Sequence, residues 1–157
     1  MKVEMSVIQS ITSIRSLSET IIDQLYDIQQ QSYTVEQQLL GIDSFPPLLE
    51  TKQALAESDD ACLIRFEAEN ILGFLQYVVT DDQLVIHKLV VHPAYFRQGV
   101  GRDLLQSLIK QKGDRSSRVE TAQKNTPAIT LYEKLGFSQT KQFYVQEGIK
   151  IVRLEQT

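Results

Sequence analysis

The segment Leu89-Val90-Val91-His92-Pro93 through Arg97-Gln98-Gly99-Val100-Gly101-Arg102 sets two glycines between an apolar run and a helical pattern. Residues of these types in this order can bind an anion. A helix N-terminus leaves about four backbone N–H groups without intrahelical partners, and they carry the positive end of the macrodipole, roughly half a charge. Glycine lets a bulky anion approach that backbone with no Cβ in the way. Arg97 and Arg102 can add side-chain charge. The same glycine pair can also do no more than shape a tight turn. No Gly-x-x-x-x-Gly-Lys-Ser/Thr loop is present, and no third glycine completes a dinucleotide fingerprint.

Other residues carry chemistry of their own. His87 has an imidazole, whose ordinary pKa near 6.5 suits proton removal at neutral pH. The other reading of His87 is a partly buried structural histidine. Alternation in a strand would put His87, Leu89 and Val91 on one face. His92 precedes Pro93 in a loop and reads as structural. Cys62 sits among apolar residues with no histidine near it in sequence, which marks a buried structural thiol.

These residues need elements to hold them. Val3, Met5 and Val7 alternate as an opening strand. Ser16-Leu17-Ser18-Glu19 has capping-box spacing, and Ile21, Leu25 and Ile28 then recur at helical intervals. Two prolines at 46 and 47 break regularity, and a second helix is expected from about Leu48 to Ala56. Strands are expected over Ala61 to Phe66, Ile71 to Val79 and Leu84 to Val91, with turns near Glu69-Asn70 and Asp81-Asp82. Val100, Leu104, Leu105, Leu108 and Ile109 then lie on one face of a helix ending near Gly113. A short strand follows over Val119 to Gln123. Thr126 is read as the cap of the next helix, with Pro127 as its first residue. Ala128, Leu131, Tyr132 and Leu135 form its apolar stripe, on which Tyr132 can be just another buried aromatic. Gly136 supplies the left-handed end. Strands near Gln142 to Gln146 and Ile149 to Leu154 close an α/β or α+β chain with a mixed sheet.

The bulk numbers bound the function. The chain has 157 residues, 42% of them apolar and 23% charged. That reads as one domain over residues 1–157, large enough for a sizeable core. No apolar stretch approaches the roughly 20 residues that span a bilayer. Met1-Lys2-Val3-Glu4 opens no secretory apolar region, so a cytoplasmic location is expected. The single cysteine fits a reducing compartment. A net charge of −4 argues against general nucleic-acid binding and favours cationic substrates. A polyanionic cofactor would then lean on local cations such as Arg97, Arg102, Lys124 and Lys134.

Taken together, the chain resembles the GNAT superfamily of N-acetyltransferases over most of its length. Leu89 through Gly101, then Leu104-Leu105, resembles that family's acetyl-CoA-binding motif. Asn125-Thr126-Pro127-Ala128 running into Leu131-Tyr132-Glu133-Lys134-Leu135-Gly136-Phe137 resembles its second motif, in the same order and at the usual separation. One departure is visible. The family's Gln/Arg-x-x-Gly-x-Gly/Ala begins at Phe96 here, with Arg97 one place later. Ser32-Tyr33-x-x-Glu36, Gly41 and Phe45-Pro46-Pro47-Leu48-x-Glu50-Thr51 resemble a bacterial subgroup of unassigned substrate.

The resemblance implies a mostly antiparallel sheet of about seven strands flanked by about four helices. It implies direct attack of a neutral amine of a small molecule on acetyl-CoA, with no metal. A protein or peptide acceptor, or a non-catalytic acetyl-CoA sensor, stands as the alternative. The pantetheine arm would pair with the backbone of Leu89, Val90 and Val91. The pyrophosphate would rest on the backbone of Arg97, Gln98, Gly99, Val100, Gly101 and Arg102, with Lys134 as a further cation. Asn125 would hydrogen-bond the cofactor, or cap a helix, or both. Tyr132 would be the general acid toward the leaving thiolate, and His87 is the base candidate. Tyr33 and Glu36 are expected on the acceptor side and are alternatives for the base. A homodimer through the final strand is compatible with the resemblance.

Overall fold

The computed structural model describes residues 6–145 and 148–157. Val3 and Met5 of the opening strand and Gln146 of a closing strand fall outside them. The elements run β1 (Ser6–Ile11), α1 (Glu19–Leu40), α2 (Lys52–Ala56), β2 (Ala61–Glu67), β3 (Asn70–Val79), β4 (Gln83–Val91), α3 (Val100–Gln111), β5 (Ser116–Ala122), α4 (Thr126–Lys134), β6 (Ser138–Tyr144) and β7 (Lys150–Gln156). The strands form one seven-stranded sheet in the order β1-β2-β3-β4-β5-β7-β6. Only the β4–β5 pair is parallel. This is the mostly antiparallel mixed sheet with four helices that the resemblance implied.

Each face of the sheet buries its own helices. In β2, Leu63 joins a cluster with Leu104, Leu105 and Leu108 of α3 and with Ile129 and Tyr132 of α4. Its neighbours Cys62 and Ile64 point the other way, into a cluster with Ile22, Leu25 and Ile28 of α1 and Leu55 of α2. That alternation is the period of a strand covered on both faces. Each fully buried leucine is worth about 1.5–3 kcal/mol relative to exposure, so both helix layers are firmly docked.

Several local expectations shift. Ser18, not Ser16, caps α1, its hydroxyl accepting from the Ile21 N–H at 3.3 Å. Ser16 instead closes a 3-10 turn over Ile14–Ser16 and donates to the Ser13 carbonyl. The expected helix from Leu48 splits into a 3-10 turn (Pro46–Leu49) and α2, because Thr51 caps a new start by accepting from the Ala54 N–H. Asn125, not Thr126, caps α4, accepting from the Ala128 N–H at 3.3 Å. The strands called at Val119 to Gln123 and Gln142 to Gln146 begin earlier, at Ser116 and Ser138.

Candidate functional site

Two irregularities in β4 build the site. The first is a bulge. Ile86 pairs with Tyr77 and Lys88 pairs with Gln76, so His87 is an extra residue without a partner. The bulge restarts the alternation. Leu84 and Ile86, and then Leu89 and Val91, pack toward α3, while Val90 faces α1. His87 therefore does not share a face with Leu89 and Val91, as plain alternation suggested. It reaches Asp60, which Gln76, the cross-strand partner of Lys88, also reaches.

The second irregularity is a parting of strands. β4 and β5 pair only from Gln83↔Ser116 to Ile86↔Val119. Beyond that point Leu89 to Val91 bond to β3 alone, and their other edge is open. Through this gap a residue of α4 and one of α1, from opposite layers, come together. Tyr132, 4% exposed, lies in the α3–α4 layer yet lines the same cavity as Glu36 of α1. The cavity measures about 700 Å³ and collects Tyr33, Glu36, His87, Leu89, Asn125 and Tyr132. Val90 is wholly buried instead, and Lys134 is exposed on the last turn of α4 outside the cavity.

The cavity perturbs its acids. Burial raises the Glu36 carboxyl from its ordinary range to about 7, and the Asn125 side-chain amide partly offsets this. Burial, with Glu36 beside it, also raises the Tyr132 phenol, which stays protonated at neutral pH. The Tyr33 phenol rises for the same first reason, with Glu50, Glu36 and Tyr132 adding to it. Its ring stands edge-on to Phe45 at 5.8 Å between centroids.

Three polar groupings here were signalled by no sequence motif. Asp60 Oδ2 lies 2.8 Å from His87 Nδ1 and accepts from Gln76 Nε2 at 2.7 Å. Lys88 Nζ donates to Glu50 Oε1 at 2.6 Å and to Gln29 Oε1 at 3.0 Å. Glu120 takes both Nε and Nη2 of Arg153 at 2.8 Å. These contacts join residues 16 to 59 positions apart, so only the sheet's register could have disclosed them. Cys62 is buried and its thiol is pushed up to about 12 by burial, so it is not a nucleophile.

The glycine turn lies at the α3 end of β4. Arg97 and Gly99 both have left-handed backbone, φ 63° and 82°. Among the described residues, the backbone N–H groups from Arg97 to Arg102 make no protein hydrogen bond, and the next, Asp103, bonds the Gly99 carbonyl at 2.9 Å. A left-handed residue next to such a run turns successive N–H groups inward as an anion-binding concavity. A Cβ on Gly101 would sit 3.1 Å from Leu131 of α4, so this glycine also sets the α3–α4 spacing.

The sequence matches the Acetyltransferase (GNAT) family over residues 22–137. It is 32% identical over 131 residues to UPF0157 protein YqkA of Bacillus subtilis, covering 83% of this chain and 38% of that protein. The chain thus spans well under half the length of that relative. It is 27% identical over 133 residues to the [ribosomal protein bS18]-alanine N-acetyltransferase of Escherichia coli, covering 81% of each. The crystal structure of the Escherichia coli ribosomal-protein-S18-alanine N-acetyltransferase superposes with a TM-score of 0.73 at 23% identity, covering 97% of this chain and 93% of that one. The PaiA N-acetyltransferase of Thermoplasma acidophilum in complex with coenzyme A gives 0.70 at 19% identity, covering 94% and 98%.

Proposed function

Because the chain belongs to the Acetyltransferase (GNAT) family, we propose that it transfers an acetyl group from acetyl-CoA to a primary amine of a small molecule. The observation that carries this reading is the parting of β4 and β5. It leads from the N–H run at Arg97–Arg102 to a cavity whose wall holds both a protonated phenol and an acidic side chain. The residues present fit acetyl-CoA: unsatisfied inward N–H groups suit a diphosphate, and the open edge of Leu89 to Val91 suits an extended amide-bearing arm.

Bound there, acetyl-CoA supplies an acetyl thioester. The acceptor nitrogen forms a C–N bond to the acetyl carbon as the C–S bond breaks. Tyr132 donates its phenolic proton to the departing sulfur and is restored from solvent. His87 takes the proton that leaves the amine. Asp60, an acceptor-only carboxylate, holds the imidazole proton on Nδ1 and leaves Nε2 with its lone pair. Glu36 faces the incoming amine. A backbone N–H of the open β4 edge would stabilise the oxyanion.

A thiol-release assay with acetyl-CoA and varied amines tests the reading. Release above the no-amine background is expected. Tyr132→Phe should lower kcat by about 10²-fold with the acetyl-CoA Kd unchanged. Acetyl-CoA binding without any amine-dependent release across the panel would instead make the protein a sensor. A second reading, acetylation of a protein N-terminus, draws on the match to the bS18-alanine enzyme over 81% of both chains. Intact-mass analysis of an incubated peptide tests it. The final strand β7 is paired on both sides, by β5 and β6, so a homodimer would form through the outer strand β6 instead, which sedimentation would detect.

A further inference from the structure

Two carboxylates, Glu36 and Glu120, and one ammonium, Lys88, line the acceptor cavity. Lys88 is paired at 2.6 Å with Glu50, which lies outside that lining, and Gln29 Nε2 also donates to Glu50 at 2.6 Å. Glu120 is committed to Arg153 at 2.8 Å. Glu36 has no ion-pair partner among the described residues. The cavity thus offers one uncompensated carboxylate to a cationic acceptor. Much of the remaining wall is apolar, with Leu40, Phe45, Pro46, Pro47, Leu49 and Ile149, and the hydroxyls of Ser44 and Thr121 are uncharged. Leu49 at 76% exposed and Val145 at 43% are among the large apolar side chains left facing water, and both line this cavity.

From this count of charges we infer that the acceptor is a monoamine on an apolar body, in contrast to a polyamine or an aminoglycoside. The inference rests on the acetyltransferase reading above. A second or third ammonium in the cavity would meet the Lys88 cation, Glu120 already paired with Arg153, uncharged hydroxyls or an apolar wall. None of these gives the ammonium a free counter-charge in exchange for its water, which is costly. An apolar body of suitable size instead covers Leu49 and Phe45 and gains from their burial. Lys88 is the device that narrows the choice. Its own positive charge in the cavity wall opposes a second ammonium.

Steady-state thiol release with phenethylamine, leucinamide, a peptide beginning with leucine, spermidine and kanamycin measures this. Either of the first two should exceed spermidine and kanamycin in kcat/KM by roughly tenfold or more. If the peptide matches leucinamide, the apolar amine comes from a polypeptide; if it is poor, from a free small molecule. Both outcomes support the inference. Leu49→Lys should erase the advantage of the apolar amines while calorimetry shows an unchanged acetyl-CoA Kd. Preference for spermidine or kanamycin by the wild type overturns the inference and leaves the acetyltransferase reading standing. Failure to bind acetyl-CoA at all would remove that reading first.

Discussion

At the scale of single residues, the cavity's chemistry depends on side chains whose partners decide what they can do. His87 is 46% exposed, and among the described residues Asp60 alone fixes its ring. His87 Nδ1 and Gln76 Nε2 meet the same oxygen, Oδ2, so an asparagine at position 60 presents its amide nitrogen to His87 once the Gln76 amide turns over to accept from it. That would move the imidazole proton to Nε2 and remove the lone pair facing the amine. Asp60→Asn is expected to lower kcat about tenfold at unchanged acetyl-CoA affinity, and Asp60→Glu to recover part of it. Equal kcat for wild type and Asp60→Asn would exclude the dyad from proton transfer. Glu36 makes a separate prediction through stability. Its carboxyl binds a proton more tightly in the folded chain, with a pKa of about 7 against the ordinary 4.5. Stability tied to that proton is fully present below pH 4.5 and is lost as pH rises through 7. Glu36→Gln removes the cost of burying the charge. It should raise Tm by roughly 2–4 °C at pH 8, the shift that about 1 kcal/mol gives in a domain of this size. At pH 4.5 the variant and the wild type should melt together. A lower Tm for the variant at pH 8 would contradict a buried, unpaired Glu36.

At the scale of elements, the contact that places α3 is the approach of β3 to β4. A Cβ on Gly73 would stand 2.6 Å from the Val90 carbonyl oxygen and 3.1 Å from Val100 Cγ1. The first neighbour is backbone and cannot swing aside, so Gly73→Ala must push β4 or the start of α3. Urea unfolding should show a loss of about 1–3 kcal/mol, and an unchanged midpoint would mean the strands separate freely there. Nothing in the sequence singled out Gly73, because a glycine inside a strand looks the same whether or not a neighbour crowds it. The elements themselves were largely legible. The stripes Ile21–Leu25–Ile28 and Leu104–Leu105–Leu108 are helical because their spacing admits little else. Caps were read less well: Ser16 and Thr126 each had a competitor, Ser18 and Asn125, whose oxygen stands nearer the first free N–H groups. The bulge at His87 was invisible, since it is defined only against Gln76 and Tyr77 across the ladder. Plain alternation therefore put His87 on the wrong side of β4.

At the scale of the whole molecule, the sheet is a clamp that closes at Ile86 and Val119 and opens beyond them. The clamp's two layers are held by their two apolar clusters; among the described residues no helix is long and apolar enough to cross a membrane. A ligand that fills the opening joins the layers, and a ligand bound only by the folded state stabilises it by mass action. At a concentration of 100 times Kd the gain is about 2.7 kcal/mol. For a domain of this size that corresponds to roughly 5–11 °C in Tm. Coenzyme A is expected to produce such a shift in the wild type and in Tyr132→Phe, since the phenol serves the reaction and not the hold. Gly99→Val should lose the shift. Its Cβ would find only Arg102 Nη2 at 3.7 Å, so crowding is not the obstacle. The obstacle is φ at 82°, where a β-branched residue costs about 1–2 kcal/mol. The loop escapes that cost by leaving the left-handed region, and the N–H groups from Arg97 to Arg102 then no longer converge. The variant should melt within about 8 °C of the apo wild type, which separates a lost cradle from a lost fold. A full coenzyme A shift in Gly99→Val would place the diphosphate somewhere other than this turn.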